Sequence, residues 1–163
     1  MSEGTLRLNQ NIVDYIKGFE VPNPLNVTFT ERQRFNGIWL DSIRSELNYR
    51  HFSNLLNRKV FGNASRRFGK KLKMLVVRER SINHRHHLHT IIETPEHIDT
   101  IHFKKLLQSL WIECDFGYHH IHIEKPTSHK REVGWLKYMM KHHQLDGFEF
   151  SIDWTNSTVL APC

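Results

Sequence analysis

An α+β sandwich, a central antiparallel sheet with helices packed mainly on one face in the ferredoxin-like or RRM-like manner, is the architecture that this sequence predicts. Three observations carry it. Five short runs rich in β-branched and aromatic residues read as strands, and three longer runs repeat their apolar residues at helical spacing. In chain order they alternate as β-α-β-β-α-β-α-β, which suits helices laid on an antiparallel sheet. The length of 163 residues is that of one domain able to bury a core unaided.

The elements follow in order. Residues 1–24 end in "VPNPL", whose two prolines separate an N-terminal extension from a domain over 25–163. "LNVTFT", 25–30, reads as the first strand. Residues 31–60 have helical spacing, with Phe35, Ile38, Trp39 and Ile43 on one side. Thr30 and Glu31 suit the start of that helix, Thr30 as N-cap and Glu31 in the first turn. "KLKMLVVRE", 71–79, and "HHLHTIIET", 86–94, are strands joined by the polar connection "RSINHR". An amphipathic helix over 96–114 opens after Pro95. A strand over 118–124, a helix over 131–143 and a last strand over 148–154 complete the chain.

Composition narrows the class. Hydrophobic content of 39% with 25% charged residues reads as a water-soluble globular chain, and no apolar run is long enough to span a membrane. The N-terminus lacks the apolar stretch of a secretory signal. Cys114 and Cys163 are too few and too scattered for a disulfide framework, so the expected compartment is the cytoplasm. The net charge of +6 favours a polyanionic partner. Its densest stretch is "RKVFGNASRRFGKK", where Arg58, Lys59, Arg66, Arg67, Lys70 and Lys71 carry no intervening acid. Phe61 and Phe68 lie among them. A solvated loop is the plain reading, and basic residues interleaved with aromatics also suit nucleic acid.

The histidines raise a sharper possibility. Residues two apart on a strand share a face, so His87 and His89 present two imidazoles together with Leu88 turned away. A divalent cation needs that convergence plus another ligand, and Glu79 is brought beside the pair by the short connection. The commoner fate of such a glutamate is a surface ion pair, here with Arg78 or Arg80. His120 and His122 repeat the local pattern without an acid on an adjacent hairpin strand. They rank second, as packing or supporting histidines near the same sheet.

A candidate nucleophile lies on the helix over 131–143. Val133, Leu136, Met139, Met140 and His143 form its apolar stripe. Tyr138 falls on the opposite side with Gly134, Trp135, Lys141 and His142. A partly exposed tyrosine on a solvated face is the plain reading. The functional one is a phenol aimed at phosphorus, with the Lys141 ammonium one turn away to lower its pKa or steady a phosphate. Tyr118, beside the second histidine cluster, is the competitor.

Three motifs in this order resemble the Rep-type HUH endonucleases, the single-tyrosine initiators of rolling-circle replication in small circular single-stranded DNA replicons. They are "VTFT" at 27–30, "HLH" at 87–89 and "YMMK" at 138–141, with Glu79 eight residues before His87. The match covers about residues 25–155. Conjugative relaxases place their tyrosine ahead of the histidines, and two-tyrosine members carry a second phenol about one turn away, where this chain has Gly134 and His142.

The resemblance implies a metal-dependent nuclease and strand transferase acting on single-stranded DNA at an origin or element-end hairpin. Tyr138 would form a 5′-phosphotyrosine, with Lys141 positioning or stabilising. Glu79, His87 and His89 would hold Mg²⁺ or Mn²⁺, and His120, His122 and His142 would support them from behind. The basic residues at 58–71 would grip flanking DNA. The sequence stops soon after the last predicted strand, so unwinding is expected from a host helicase. The alternatives are an HUH transposase, which should dimerise, and a non-catalytic RRM-like binder, which would need aromatics exposed on its sheet.

Overall fold

The computed structural model describes residues 14, 20–79, 86–127, 135 and 152–158. The expected α+β architecture is present. Four strands form one sheet: β1 (Pro24–Glu31), β4 (Met74–Glu79), β5 (His87–Glu93) and β6 (Gly117–Glu124). Their spatial order is β4-β5-β1-β6, and every neighbouring pair is antiparallel. Beyond β4, Ile152 bridges Val77 and the Asp153 amide donates to the Val76 carbonyl at 2.9 Å, in the segment where the last strand is expected.

Alternation along β1 decides the layers. Leu25, Val27 and Phe29 are fully buried on one face, together with Met74 and Val76 of β4 and Leu88 and Ile92 of β5. Two helices, α1 (Ser42–Phe61) and α3 (Thr100–Glu113), supply Tyr49, Phe52, Leu56, Phe103, Leu107 and Trp111 to the same core. Phe29 is its hub, with ring centroids 5.0 Å from Phe52 and 4.7 Å from Trp111. Offset and edge contacts of this kind add to the burial term. The Trp111 indole also donates to the Thr30 carbonyl at 3.0 Å, tying α3 to the end of β1.

The chain turns from α3 into β6 at Gly117. A Cβ there would lie 1.7 Å from the Trp111 carbonyl oxygen, so only glycine fits.

Residues 31–60 do not form one helix. A two-stranded hairpin, β2 (Arg34–Phe35) and β3 (Ile38–Trp39), precedes α1. Its turn is Asn36-Gly37, with φ of 46° and 81°. Asn-Gly favours this double positive-φ turn, whose twist matches paired strands. The helix starts instead at Asp41, whose carboxylate accepts from the Arg44 amide at 2.8 Å. Thr30 is a buried β1 residue, and Ile38, Trp39 and Ile43 are exposed rather than core-facing. α3 likewise begins after Asp99, which caps the Ile101 and His102 amides at 3.0 Å each, and not directly after Pro95.

A short helix, α2 (Asn63–Phe68), lies inside the basic stretch. The N-terminal boundary is tied to the domain: Val21 is buried, and the Asn23 carbonyl accepts from the Thr94 amide at 3.0 Å. Of the segment over 131–143, only Trp135 is among the described residues; Tyr138, Lys141 and His142 lie outside them.

Candidate active site

The β4–β5 register brings Glu79 opposite His87 and Val77 opposite His89. Opposite residues in an antiparallel pair share a face, so Glu79, His87 and His89 all point away from the helices. The three residues expected to hold a metal are therefore neighbours on one surface. His89 Nε2 lies 2.5 Å from Glu79 Oε2. The His87 and His89 rings lie nearly parallel, 26° apart with centroids at 6.4 Å.

His89 is fixed from both sides. Its Nδ1 lies 3.1 Å from the Thr28 hydroxyl, the cross-strand partner of His89 on β1. The residue is 3% exposed, and its ring meets that of Trp135 edge to face with centroids 5.9 Å apart. Thr28 belongs to the "VTFT" run, but strand propensity alone gave it no role. What identifies it is register, which places Thr28 between His89 and His122 in one row across three strands.

His122 is therefore on the same face as His89, two strands away or about 10 Å. It is exposed, and its Nε2 sits 3.9 Å from Glu124 Oε2. His120, one alternation before it on β6, is exposed as well.

Whether the three ligand candidates suit a metal can be tested on their atoms. One carboxylate oxygen and two imidazoles form a mixed oxygen and nitrogen set that suits a first-row transition ion such as Mn²⁺ better than Mg²⁺, which prefers oxygen ligands. Two donors bound at right angles to one ion at about 2.1 Å are separated by about 3 Å. The 2.5 Å contact must therefore widen by roughly half an ångström, with the cation replacing a proton or a charge-assisted hydrogen bond. Among the described residues, no set of three or more His, Cys, Asp or Glu side chains is gathered tightly enough to hold an ion as it stands. The donor set fits, and the pair has to open to use it.

A buried acid lies at the same end of the sheet on the helix-facing side. Glu31 is 1% exposed and accepts from the Ser45 hydroxyl at 2.8 Å. Burial pushes its carboxyl up to about 7, against the lowering effects of Ser45 and the Arg78 charge. The sequence places this residue in the first turn of a helix; it instead ends β1, and its burial depends on α1 starting above it.

The tyrosines separate by environment. Tyr49 is fully buried in the core, and desolvation pushes its phenol far above the ordinary range, which removes it as a nucleophile. Tyr118 is half-buried at the start of β6, beside His119.

The basic stretch is not beside these groups. The Arg78 guanidinium donates to the Ser42 carbonyl, so the first turn of α1 lies at the Glu79 end of the sheet. Asn57, near the other end of α1, accepts from the Leu72 amide just before β4 begins. A helix of 20 residues is about 30 Å long, and Arg66, Arg67, Lys70 and Lys71 follow its far end. Their side chains are exposed.

No helix among the described residues is long and apolar enough to cross a membrane. Comparison with protein-family models, with curated proteins and with solved structures finds no match.

Proposed function

We propose that the protein nicks and rejoins single-stranded DNA through a covalent 5′-phosphotyrosine, as a single-tyrosine HUH endonuclease that initiates rolling-circle replication. The observation that supports it most is the convergence of Glu79, His87 and His89 on one sheet face, with His89 oriented by Thr28. These residues come from two separate strands; His87 and His89 belong to the second motif of the resemblance, and Glu79 precedes His87 by eight residues, where viral members carry an acidic ligand. Trp135, three positions before Tyr138 in the sequence, rests on His89.

In this reading the Tyr138 oxygen attacks the scissile phosphorus. The phenol gives up its proton as the new bond joins that oxygen to phosphorus, the P–O3′ bond breaks, and the released 3′ oxygen takes up a proton. Rejoining reverses the exchange, with a 3′-OH as nucleophile and the tyrosine as leaving group. Lys141 would steady the phosphate or the forming phenolate. A divalent metal ion, Mg²⁺ or Mn²⁺, held by Glu79, His87 and His89, would supply charge neutralisation at the phosphate. Thr28 keeps the His89 ring turned so that Nε2 faces Glu79. The cytoplasm and a host helicase follow from the same reading, as does an origin or element-end hairpin as substrate.

A transposase would use the same residues and differ by pairing two element ends in a dimer. The non-catalytic alternative is less well supported. The row across the face away from the helices is Val77, His89, Thr28 and His122; Val77 and His89 are buried there, and among the described residues this row holds no Phe, Tyr or Trp for bases to stack on.

The test is capture of covalent adducts from a single-stranded DNA library with Mn²⁺ present, followed by peptide mapping. The nucleotide should map to Tyr138. Tyr138→Phe should still bind DNA and form no adduct. An adduct on Tyr118 would keep the chemistry and move the site; no adduct with any sequence would end the nuclease reading.

A further inference from the structure

The hairpin between β1 and α1 exposes more apolar surface than a turn needs. Trp39 is 66% exposed and Ile38 49%, while Ile43 and Leu47, one turn apart on α1, are 69% and 51% exposed. Exposed apolar residues side by side on β3, and again one turn apart on α1, make this part of the molecule a candidate interaction surface.

Charge says what it meets. The Arg34 guanidinium lies 5.5 Å from the Trp39 ring centre, and that of Arg32 lies 5.9 Å from the Phe35 ring. Nearby Arg44 and Arg50 are engaged by Asp41 and Glu46. Arg32 and Arg34 have no carboxylate partner among the described residues. Cations without a carboxylate partner beside an exposed indole suit a ligand carrying both negative charge and flat unpaired rings. A second copy of the chain fits less well, since a two-fold contact through this patch would set its cations against each other.

Position completes the argument. Thr30 pairs with His87, and the hairpin begins three residues after Thr30 at Gln33, whose carbonyl accepts from the Leu40 amide. The Arg32 amide donates to the Phe116 carbonyl at the start of β6. The hairpin thus leaves the same end of the sheet that carries Glu79 and His87, whereas the basic stretch lies at the other end.

We infer that the β2–β3 hairpin, with Arg32 just before it, is a stacking surface for single-stranded DNA, Trp39 holding one unpaired base and Arg34 and Arg32 meeting the adjoining phosphates. The choice of DNA rests on the proposed function; the chemistry of the surface does not. Duplex DNA hides its base faces from such a ring, so unpaired strands are selected.

The full chain is titrated in EDTA with a short oligothymidylate, following tryptophan emission and anisotropy. Binding should quench emission. Trp39→Ala should abolish that quenching and weaken binding by about 10-fold or more, the scale of one base–aromatic stack. Trp39→Phe should restore most of the affinity without the quenching. Arg34→Ala should flatten the salt dependence by roughly 0.7 in the log–log slope. Trp39→Ala binding as tightly as wild type would overturn the inference. So would a Trp39-dependent dimer, seen by sedimentation, whose loss leaves DNA affinity unchanged. Trp39-dependent binding without a covalent adduct on any DNA sustains the hairpin and ends the nuclease reading. Adduct formation with unchanged Trp39→Ala binding does the reverse.

Discussion

His89 is held between Thr28 and Glu79, its Nδ1 3.1 Å from one and its Nε2 2.5 Å from the other. A ring fixed at both nitrogens cannot turn, so its ligand atom has a defined direction before any ion arrives. Partners that orient a ligating histidine are typically worth 10- to 100-fold in metal affinity. Thr28→Val should therefore weaken Mn²⁺ binding by about that factor, read by electron paramagnetic resonance, without changing the circular dichroism. His87→Ala or His89→Ala should abolish Mn²⁺-dependent cleavage, as should excess EDTA. Unaltered Mn²⁺ affinity in all three variants would remove the metal from this face.

The basic stretch and the ligand candidates lie toward opposite ends of α1, a helix about 30 Å long, which makes a length-dependent expectation. Replacing Arg66, Arg67, Lys70 and Lys71 by alanine should leave cleavage of a short oligonucleotide unchanged. On a long strand the same variant should bind more weakly, with the salt slope reduced by roughly 0.7 for each lost phosphate contact. Equal salt slopes on long DNA would return the stretch to a solvated surface.

Glu31 links stability to pH. Burial raises its carboxyl from 4.5 to about 7, so the folded state holds the proton more tightly than the unfolded one. Its favourable contribution is complete below about pH 4.5 and is lost as pH rises through 7. Glu31→Gln keeps the shape and an acceptor for Ser45 but carries no charge. It should flatten the pH profile and stabilise the protein at pH 8.5 relative to wild type, by on the order of 2–3 kcal/mol. Urea melts at pH 5 and pH 8.5 measure this directly; parallel profiles for the two proteins would contradict it.

Gly117→Ala tests the packing of α3 on β6. The added methyl would sit 1.7 Å from the Trp111 carbonyl oxygen, which is backbone and has little room to yield. The variant should lose on the order of 2–3 kcal/mol, the usual scale of overpacking, and its thermal midpoint should fall accordingly.

Alternation of apolar and polar residues made β1 legible, whereas β4 and β5, buried on both faces along most of their length, were legible as short runs of apolar and β-branched residues. The Glu79–His87–His89 grouping was legible because a short connection leaves little freedom in register. The segment over 31–41 was not. Phe35, Ile38 and Trp39 recur at helical spacing, yet that spacing also arises when a hairpin displays aromatic residues on both sides of a turn. The Asn36-Gly37 pair was the stronger signal, because it specifies a backbone conformation, whereas spacing specifies only a possible face. The contacts of Thr28 and Glu31 could not be assigned from sequence at all. Their partners are 61 and 14 residues away, and only register and the packing of α1 bring them together.

The central place of β1 has a consequence for how the chain is made. The first strand in sequence pairs on one side with β5 and on the other with β6, which ends at Glu124. At the ribosome, β1 emerges long before either neighbour and must wait with both edges open. Such late, distant pairing makes folding slow and leaves a nascent chain open to faulty strand association. Of its neighbours, α1 emerges first and can shelter Phe29 through Tyr49 and Phe52 while the strand waits. The early helix then acts as an internal holdase for a strand whose partners have not yet been synthesised.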